Sequence, residues 1–532
     1  MKILVADKIS QSGVDYLRAQ SDVEVLEAYD SSPEKLAELA VDVNGIIVRS
    51  ASSVTAEIMA VAPELKAVGR AGVGVDNIDI EAASDRGIIV MNTPSGNTIA
   101  TAELAFTHLL CSARPVAQAN ASMKNGEWNK KAFSKGTELY QKTLGVLGLG
   151  RIGSEVAKRA LAFKMRVLAY DPYLTSARAE QLGVEKVELD ELFSQVDFIT
   201  IHMPKTEATT KMINASSLSK MKDGVRIVNC ARGGLIDEAD LADALKSGKA
   251  AASGLDVFEV EPLSKESPLR EYGQMVLTPH LGASTLEAQE NVGLEVAEIM
   301  VEAIRGGRAR NALNAPSIDP ALLKTLRPYL VLADKMGTLI QQVTPDAVTK
   351  LRLIYSGKLA DTDVTPINRA IQRGYLRQIT NDVNDINAPR VLARLGVEGE
   401  IVKTDLERDY TELIRIEACD STGRCDVIEG TLIGKSQTPR LTHVNGRDLE
   451  CSLTEKYLLV IENKDVPGIV GRLGTTMAKE KINISHMSLG RNTVGGIALN
   501  ICGLDSRPSK ELIDELRSDS DFERVALVDL AG

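Results

Sequence analysis

Cysteine is scarce in this chain. Its six cysteines (Cys111, Cys230, Cys419, Cys425, Cys451 and Cys502) are scattered over 532 residues and form no C-x-x-C pair. That spacing argues against a zinc site or a disulfide framework, so no metal is expected. The thiols are expected to be reduced and mostly buried in a cytoplasmic protein. Long apolar runs are missing too: none reaches the ~18 residues a membrane-spanning helix requires. The opening Met1-Lys2-Ile3-Leu4-Val5-Ala6-Asp7 is too short an apolar stretch for a signal peptide and reads as a strand. Positive charge is in deficit, with a formal net charge of -11. Such a surface repels nucleic acid and acidic lipid, so neither is an expected partner, and a phosphorylated ligand would need a local basic pocket. Neither low-complexity tracts nor short-period repeats occur.

What is present is the balance of a soluble globular protein, 44% apolar and 25% charged. A chain this long exceeds one hydrophobic core and predicts three or four domains. Short apolar strands alternate with helical patterns: Ile3 to Ala6, Val23 to Leu26, Gly45 to Val48, Ala67 to Gly69 and Ile88 to Met91. A helical stretch from Thr101 to Gly126, interrupted by Pro115, leads to a second series. Its strands are Thr143 to Leu147, Arg166 to Tyr170, Asp197 to Ile201, Val225 to Asn229, Ala252 to Val257 and Met275 to Leu277. Strands spaced by helices imply βαβ units and parallel sheets. A long helix from Leu286 to Ile304 stops at Gly306-Gly307, and Asn311 to Ser317 reads as a linker. Mixed helices and strands follow to Cys451. The last stretch reads βαββαβ from Lys456 to Val528, a ferredoxin-like order.

Gly148-Leu149-Gly150-Arg151-Ile152-Gly153 matches G-x-G-x-x-G between a strand and a helix. The first glycine permits the turn, the second lets a pyrophosphate approach the backbone, and the third packs helix on strand. Helix N-terminal amides then face the phosphates. The next strand ends at Asp171, 18 residues beyond Gly153, where a ribose-binding carboxylate is expected. A carboxylate there repels a 2′-phosphate, so NAD is the expected cofactor.

Three further segments end strands on the ligand-binding side of such a sheet: Val228 to Asp237 with Arg232, Gly254 to Pro262 with Glu261, and Thr278 to Thr285 with His280. Hydride transfer from a secondary alcohol needs a base for the hydroxyl proton and a cation to hold the carboxylate. Histidine suits the first task, arginine's bidentate fork the second. Of the chain's five histidines, His280 alone joins a strand end to a glycine-rich turn. His108 reads as core and His202 as structural or cofactor-proximal.

In order, these segments resemble the D-isomer-specific 2-hydroxy acid dehydrogenase family over about Met1 to Asn314. The resemblance implies that Arg232 binds the substrate carboxylate, that Glu261 pairs with His280, and that His280 is the acid/base. It implies cofactor contacts at Gly148, Gly150, Arg151, Ile152, Gly153, Asp171, Met203, Cys230, Ala231, Asp256 and Gly282. It divides this part into a substrate-binding domain, residues 1–98 completed by 284–314, and an NAD-binding domain, 99–283. Val48-Arg49-Ser50, Val68 to Asp79, Thr93 to Thr98 and Ser122 to Trp128 closely resemble the phosphoglycerate dehydrogenase branch. That implies substrate contacts at Arg49, Ser50, Gly72, Asn97 and Gln289, and a phosphate contact at Lys130, where relatives carry arginine.

Gly357 to Ala360 and Asn387-Ala388-Pro389 resemble the intervening domain of the long forms, here residues 315–452. Lys456 to Val528 resembles an ACT domain, residues 453–532, whose effector contacts map onto Asn463, Asp465 and Asn483, where two domains would meet edge to edge. The expected architecture is α/β: two Rossmann-like doubly wound parallel sheets, an α+β intervening domain and a ferredoxin-like C-terminal domain. The expected activity is oxidation of 3-phosphoglycerate with NAD in a homotetramer, with L-serine as effector. A dehydrogenase of another D-2-hydroxy acid such as 2-hydroxyglutarate, or a non-enzymatic NAD sensor, is the alternative.

Overall fold

Five short strands open the chain: β1 (Lys2–Val5), β2 (Glu24–Glu27), β3 (Gly45–Val48), β4 (Ala67–Arg70) and β5 (Ile89–Asn92). They form an all-parallel sheet in the order β2-β1-β3-β4-β5. Parallel sheets are buried on both faces, which is why these strands read as continuous apolar runs. Leu4, Ile46, Val48 and Val68 pack under the helices carrying Leu36 and Ile58. Ile3, Val5, Ile47 and Met91 pack on the other face against Val292, Val296, Ile299 and Ile304 of the helix Leu286–Ile304. The computed structural model describes residues 1–306, 309–315, 320–344, 347–380, 382–404 and 410–530.

The stretch expected to be a linker is bound to this sheet. Asn314 accepts from the Val90 amide at 2.9 Å and donates to the Ile88 carbonyl at 2.8 Å, and Leu313 donates to the Val90 carbonyl. The edge strand β5 otherwise presents unpaired backbone groups, and this segment satisfies them. Pro316 and Ser317, the end of the expected linker, lie outside the described residues.

The second sheet contains β6 (Thr143–Leu147), β7 (Arg166–Tyr170), β8 (Glu185–Lys186), β9 (Phe198–Ile201), β10 (Val225–Asn229), β11 (Ala250–Leu255) and β12 (Met275–Leu277). Its order is β12-β11-β10-β9-β6-β7-β8, all parallel. The winding reverses at β6, between β7 and β9, and a crevice opens there beyond the carboxyl ends. The Thr101 to Gly126 stretch forms two helices, Thr98–Ala113 and Val116–Lys124, broken at Pro115.

A mixed sheet follows: β13 (Val348–Gly357), β14 (Glu398–Thr404), β15 (Glu412–Asp420), β16 (Cys425–Ile433), β17 (Thr438–Val444) and β18 (Arg447–Ser452). Its order is β14-β13-β15-β16-β17-β18, with only β13 and β14 parallel. Here the expectation of wholly reduced thiols fails. Cys419 and Cys425 face each other across the β15–β16 hairpin, Cα atoms 4.0 Å apart, and are joined as a disulfide. Their six-residue spacing is no motif in sequence; the hairpin register makes them neighbours. Cys230, Cys451 and Cys502 are free and buried, and Cys111 is free and half-buried.

The last sheet, β19 (Tyr457–Lys464), β20 (Ile484–Arg491), β21 (Ile497–Leu504) and β22 (Phe522–Asp529), is antiparallel in the order β20-β21-β19-β22, with the helices Ile469–Lys479 and Lys510–Ser518. Leu459, Ile461 and Cys502 pack beneath those helices. Leu458, Val460 and Ile501, from the opposite face, join the core of the preceding mixed sheet. Alternation along each strand thus serves two cores. No described helix is long and apolar enough to cross a membrane.

Candidate active site

Gly148 follows β6 with φ +89° and lies against the residue after β9: a Cβ there would sit 2.6 Å from the His202 carbonyl oxygen. Only glycine makes this turn without strain. A side chain at Gly153 would run into the Gly148 carbonyl, so helix Arg151–Ala162 can approach its strand only there. Gly150 differs, because a Cβ built on it meets nothing within 4 Å. It caps the helix without a side-chain bond, leaving amides free beside open space, which fits a pyrophosphate. Asp171 accepts from the Leu149 and Tyr173 amides, so the ribose-side carboxylate is fixed to the glycine turn. Met203 packs against the same turn. Arg151 is exposed, Ile152 and Ala231 are half-buried, and the Cys230 thiol is buried, so burial pushes its pKa well up. The donor set fits NAD.

His280 ends the β12 connection with φ +55°, and its Nδ1 lies 2.7 Å from Glu261 Oε2. The other Glu261 oxygen accepts from the Phe258 amide at 3.0 Å, so the carboxylate is aimed before any ligand arrives. Asp256, expected at the cofactor, is fully buried and spends both oxygens on the loop. Oδ1 accepts from Thr278 Oγ1 and the Leu281 amide, and Oδ2 from the Gly282 amide. Gly282 is buried and its carbonyl accepts from Thr101 Oγ1. His108, a core residue as expected, adds a 2.9 Å contact from Nε2 to Thr278. His202 contacts Thr200 Oγ1 at 2.9 Å, and burial lowers its pKa to about 4. A cavity of about 570 Å³ lies against Glu261, Pro262 and His280.

Arg232 reaches from the second sheet to the first. A side chain at Gly74 would collide with its guanidinium, and its Nε lies 3.7 Å from the Asp76 carboxylate. Asp7 is buried and accepts from the amides of Arg49, Ala51 and Ser52, which shapes the loop holding Arg49 and the exposed Ser50. Arg70 was missed as a site residue. It donates from Nε to the Arg49 carbonyl at 2.8 Å and from Nη1 to the Gly74 carbonyl. Burial, then the cations Arg232 and Arg49, lower its pKa to about 10. Its signal lay in the Val68 to Asp79 run, where an arginine ends a buried strand. Gly72 follows it and holds Thr93 through its carbonyl. Asn97 is buried and its Oδ1 has no partner among the described residues; the same holds for Asn77 Oδ1 and Thr98 Oγ1. Gln289 lies half-buried in the first turn of helix Leu286–Ile304.

Lys130, expected at the phosphate, is exposed and makes no hydrogen bond or ion pair among the described residues. The three expected effector contacts do not meet within one chain. Asn463, 1% exposed, bonds to Asn500 at one end of the last sheet, with Asp465 beyond it on Arg491 and the Gly495 amide. Asn483 is at the other end, bonded to Asp505. Antiparallel pairing puts the end of β19 and the start of β20 at opposite ends. The β20 edge of this sheet runs beside β18 of the same chain, with Ser488 donating to the Glu450 carbonyl.

The family model described as "D-isomer specific 2-hydroxyacid dehydrogenase, NAD binding domain" matches residues 106–282, "D-3-phosphoglycerate dehydrogenase intervening domain" matches 325–445, and "ACT domain" matches 457–521. The chain is 42% identical over 519 residues to the D-3-phosphoglycerate dehydrogenase of Archaeoglobus fulgidus, covering 97% of each. It is 41% identical to the Methanocaldococcus jannaschii protein of that name over the full length of both. The solved D-lactate dehydrogenase of Aquifex aeolicus, complexed with NAD and lactic acid, matches 60% of this chain and 100% of its own, with TM-score 0.53 and 29% identity. This chain is an NAD-dependent dehydrogenase and belongs to the D-3-phosphoglycerate dehydrogenase family.

Proposed function

We propose that this chain oxidises 3-phospho-D-glycerate to 3-phosphohydroxypyruvate with NAD, the entry step of L-serine biosynthesis. The observation that carries the reading is the meeting of three arginines between the two sheets: Arg70 donates to the carbonyls of Arg49 and Gly74, and the Arg232 guanidinium lies against Gly74. A substrate bearing a carboxylate and a phosphate supplies two anionic groups to such a cluster, and arginine forks bind both bidentately.

In this reading Arg232 holds the carboxylate and polarises the C2 oxygen, while Arg49, Ser50, Gly72, Asn97 and Gln289 surround the remaining groups. His280 Nδ1 donates to Glu261, which leaves Nε2 unprotonated and able to accept the C2 hydroxyl proton. Glu261 then stabilises the imidazolium. Bound NAD supplies the hydride acceptor. Asp171 contacts its ribose and the Gly148 to Gly153 turn its pyrophosphate, with Met203, Cys230, Ala231 and Gly282 lining the nicotinamide side and Asp256 acting there only through the loop it holds.

We divide the chain as residues 1–98 with 284–314, 99–283, 315–452 and 453–532. L-serine is the proposed effector, in a site that two chains complete, because Asn463 and Asn483 stand apart in one. A cytoplasmic homotetramer fits the exposed apolar side chains Val116, Met123, Trp128 and Tyr140, which a monomer would leave in water. The test is NADH formation from 3-phosphoglycerate against D-lactate, D-glycerate and D-2-hydroxyglutarate, with and without serine. Preference for 3-phosphoglycerate supports the substrate, and equal turnover of an unphosphorylated acid would defeat it. Turnover indifferent to serine would defeat only the feedback.

A further inference from the structure

Arg232 and Glu261 stand on loops that follow different strands, β10 and β11, whose ladder ends at the pair Asn229 and Leu255. Beyond the sheet, other contacts must hold the two loops at one spacing. Their backbones touch first. A Cβ built on Gly233 would lie 1.7 Å from the Phe258 carbonyl oxygen, so only glycine permits this approach.

Two glutamates then cross between the loops in opposite directions. The Glu259 amide donates to Glu238 Oε1 at 2.6 Å, and the Glu238 amide donates to Glu259 Oε1 at 3.2 Å. Glu238 opens the helix Glu238–Ser247, where an amide has no partner within the helix, so Glu259 satisfies an orphan donor. Bonds from amides to carboxylates are charge-assisted, and two run in opposite senses fix orientation as well as distance. Lys211 straddles the pair, its Nζ 2.9 Å from Asp237 and 3.8 Å from Glu259. Burial raises the Glu238 pKa, the Glu259 amide draws it back, and the charges of Glu259, Asp237 and Glu261 raise it again. A carboxylate is thus disfavoured there by burial and three like charges, and the bond that offsets this is the one to the loop of Glu261. Glu261 takes its own position from the Phe258 amide, next to Glu259. Arg232 is held through its carbonyl, which accepts from Asn229 at 2.9 Å, and through Gly233.

We propose that Glu238 and Glu259 are positioning residues, a reciprocal clasp that sets the spacing of Arg232 from the Glu261–His280 pair. The proposal rests on the roles given above to those three residues. Neither glutamate is asked to touch substrate or cofactor. A misplacement of about 1 Å at the reacting groups can lower a rate about 10²-fold, so a clasp on the two loops governs turnover from outside the site.

Steady-state kinetics with 3-phosphoglycerate, alongside NADH binding followed by fluorescence, test this on the full chain. Glu238→Ala and Glu259→Ala should each lower kcat about tenfold and raise KM for the hydroxy acid, with NADH affinity within about twofold of wild type. The double variant should lose less than the product of the two single losses, because both arms belong to one clasp. Glu238→Gln keeps an acceptor oxygen and should recover most of the loss. Wild-type turnover in the alanine variants, additive losses, or Glu238→Gln as poor as Glu238→Ala would each overturn the clasp. So would NADH affinity falling in step with kcat, which would mark the pair as general support for the fold. His280→Ala in the same assay separates the two levels. Full turnover in that variant defeats the catalytic reading, whereas its loss beside unaffected glutamate variants defeats the clasp alone.

Discussion

His280 stands on a turn that Asp256 holds from beneath: the His280 amide donates to the Asp256 carbonyl at 2.8 Å, while the Asp256 carboxylate gathers the next two amides. The imidazole is thus fixed by a buried carboxylate that never touches it. Asp256→Asn keeps the shape but turns a donor toward backbone N–H groups. A buried polar group left unsatisfied costs about 1–3 kcal/mol. Urea unfolding should report a loss of that size, and turnover should fall with KM nearly unchanged. Unchanged stability would show that the turn does not depend on this carboxylate.

Glu261 acts through His280, so the two should not add. His280→Ala is expected to lower turnover about 10²–10⁴-fold. Glu261→Gln should lower it less, and the double variant should match His280→Ala alone, because residues acting as a unit are not additive. Steady-state kinetics of the three variants decide this, and full additivity would mean that Glu261 has a role apart from the imidazole.

Arg70 is predicted to bind substrate charge rather than to serve chemistry. Arg70→Gln should raise KM for 3-phosphoglycerate at least tenfold and change KM for D-lactate much less. A charged hydrogen bond is worth about 1.5–3 kcal/mol, which sets the scale. Equal effects on both substrates would reduce Arg70 to a brace for the Arg49 loop.

His202 should make the fold sensitive to acid. Burial lowers its folded pKa to about 4, whereas the unfolded side chain titrates near 6.5. Above pH 6.5 both states are neutral and nothing is lost. As pH falls from 6.5 to 4 only the unfolded chain takes up the proton, so stability declines through that window by about 1–3 kcal/mol and levels off below it. His108, lowered by burial as well, acts in the same direction. Denaturation midpoints for wild type and His202→Gln across this range test the point, since the variant should lose most of the slope.

The hairpin bridge gives a direct chemical count. Denatured without reductant, the chain should offer four reactive thiols of its six cysteines. Closing so short a loop stabilises by about 2 kcal/mol, so Cys419→Ser with Cys425→Ser should lower stability by no more than that. Six reactive thiols would remove the bridge.

Patterns local in sequence were legible before any coordinates. The strand Thr143–Leu147, the glycine turn and the helix Leu286–Ile304 each follow from residues that act within one or two turns of themselves. His280 and Glu261 were also found, because each lies in a segment that follows a strand of one sheet and resembles a motif of the 2-hydroxy acid dehydrogenases. Arg70 was not, since its charge matters only where Arg49 and Arg232 come to lie beside it.

By itself the sequence determined periodicity, turn chemistry and the order of motifs, because backbone sterics and hydrophobic alternation act over a few residues. Tertiary structure alone decided that Asp256 is spent on a loop, that Cys419 meets Cys425, that Asn463 and Asn483 stand at opposite ends of a sheet, and that Glu238 and Glu259 bond across two loops. Each of these depends on strand register and on the packing of one sheet against another, and no local pattern specifies either.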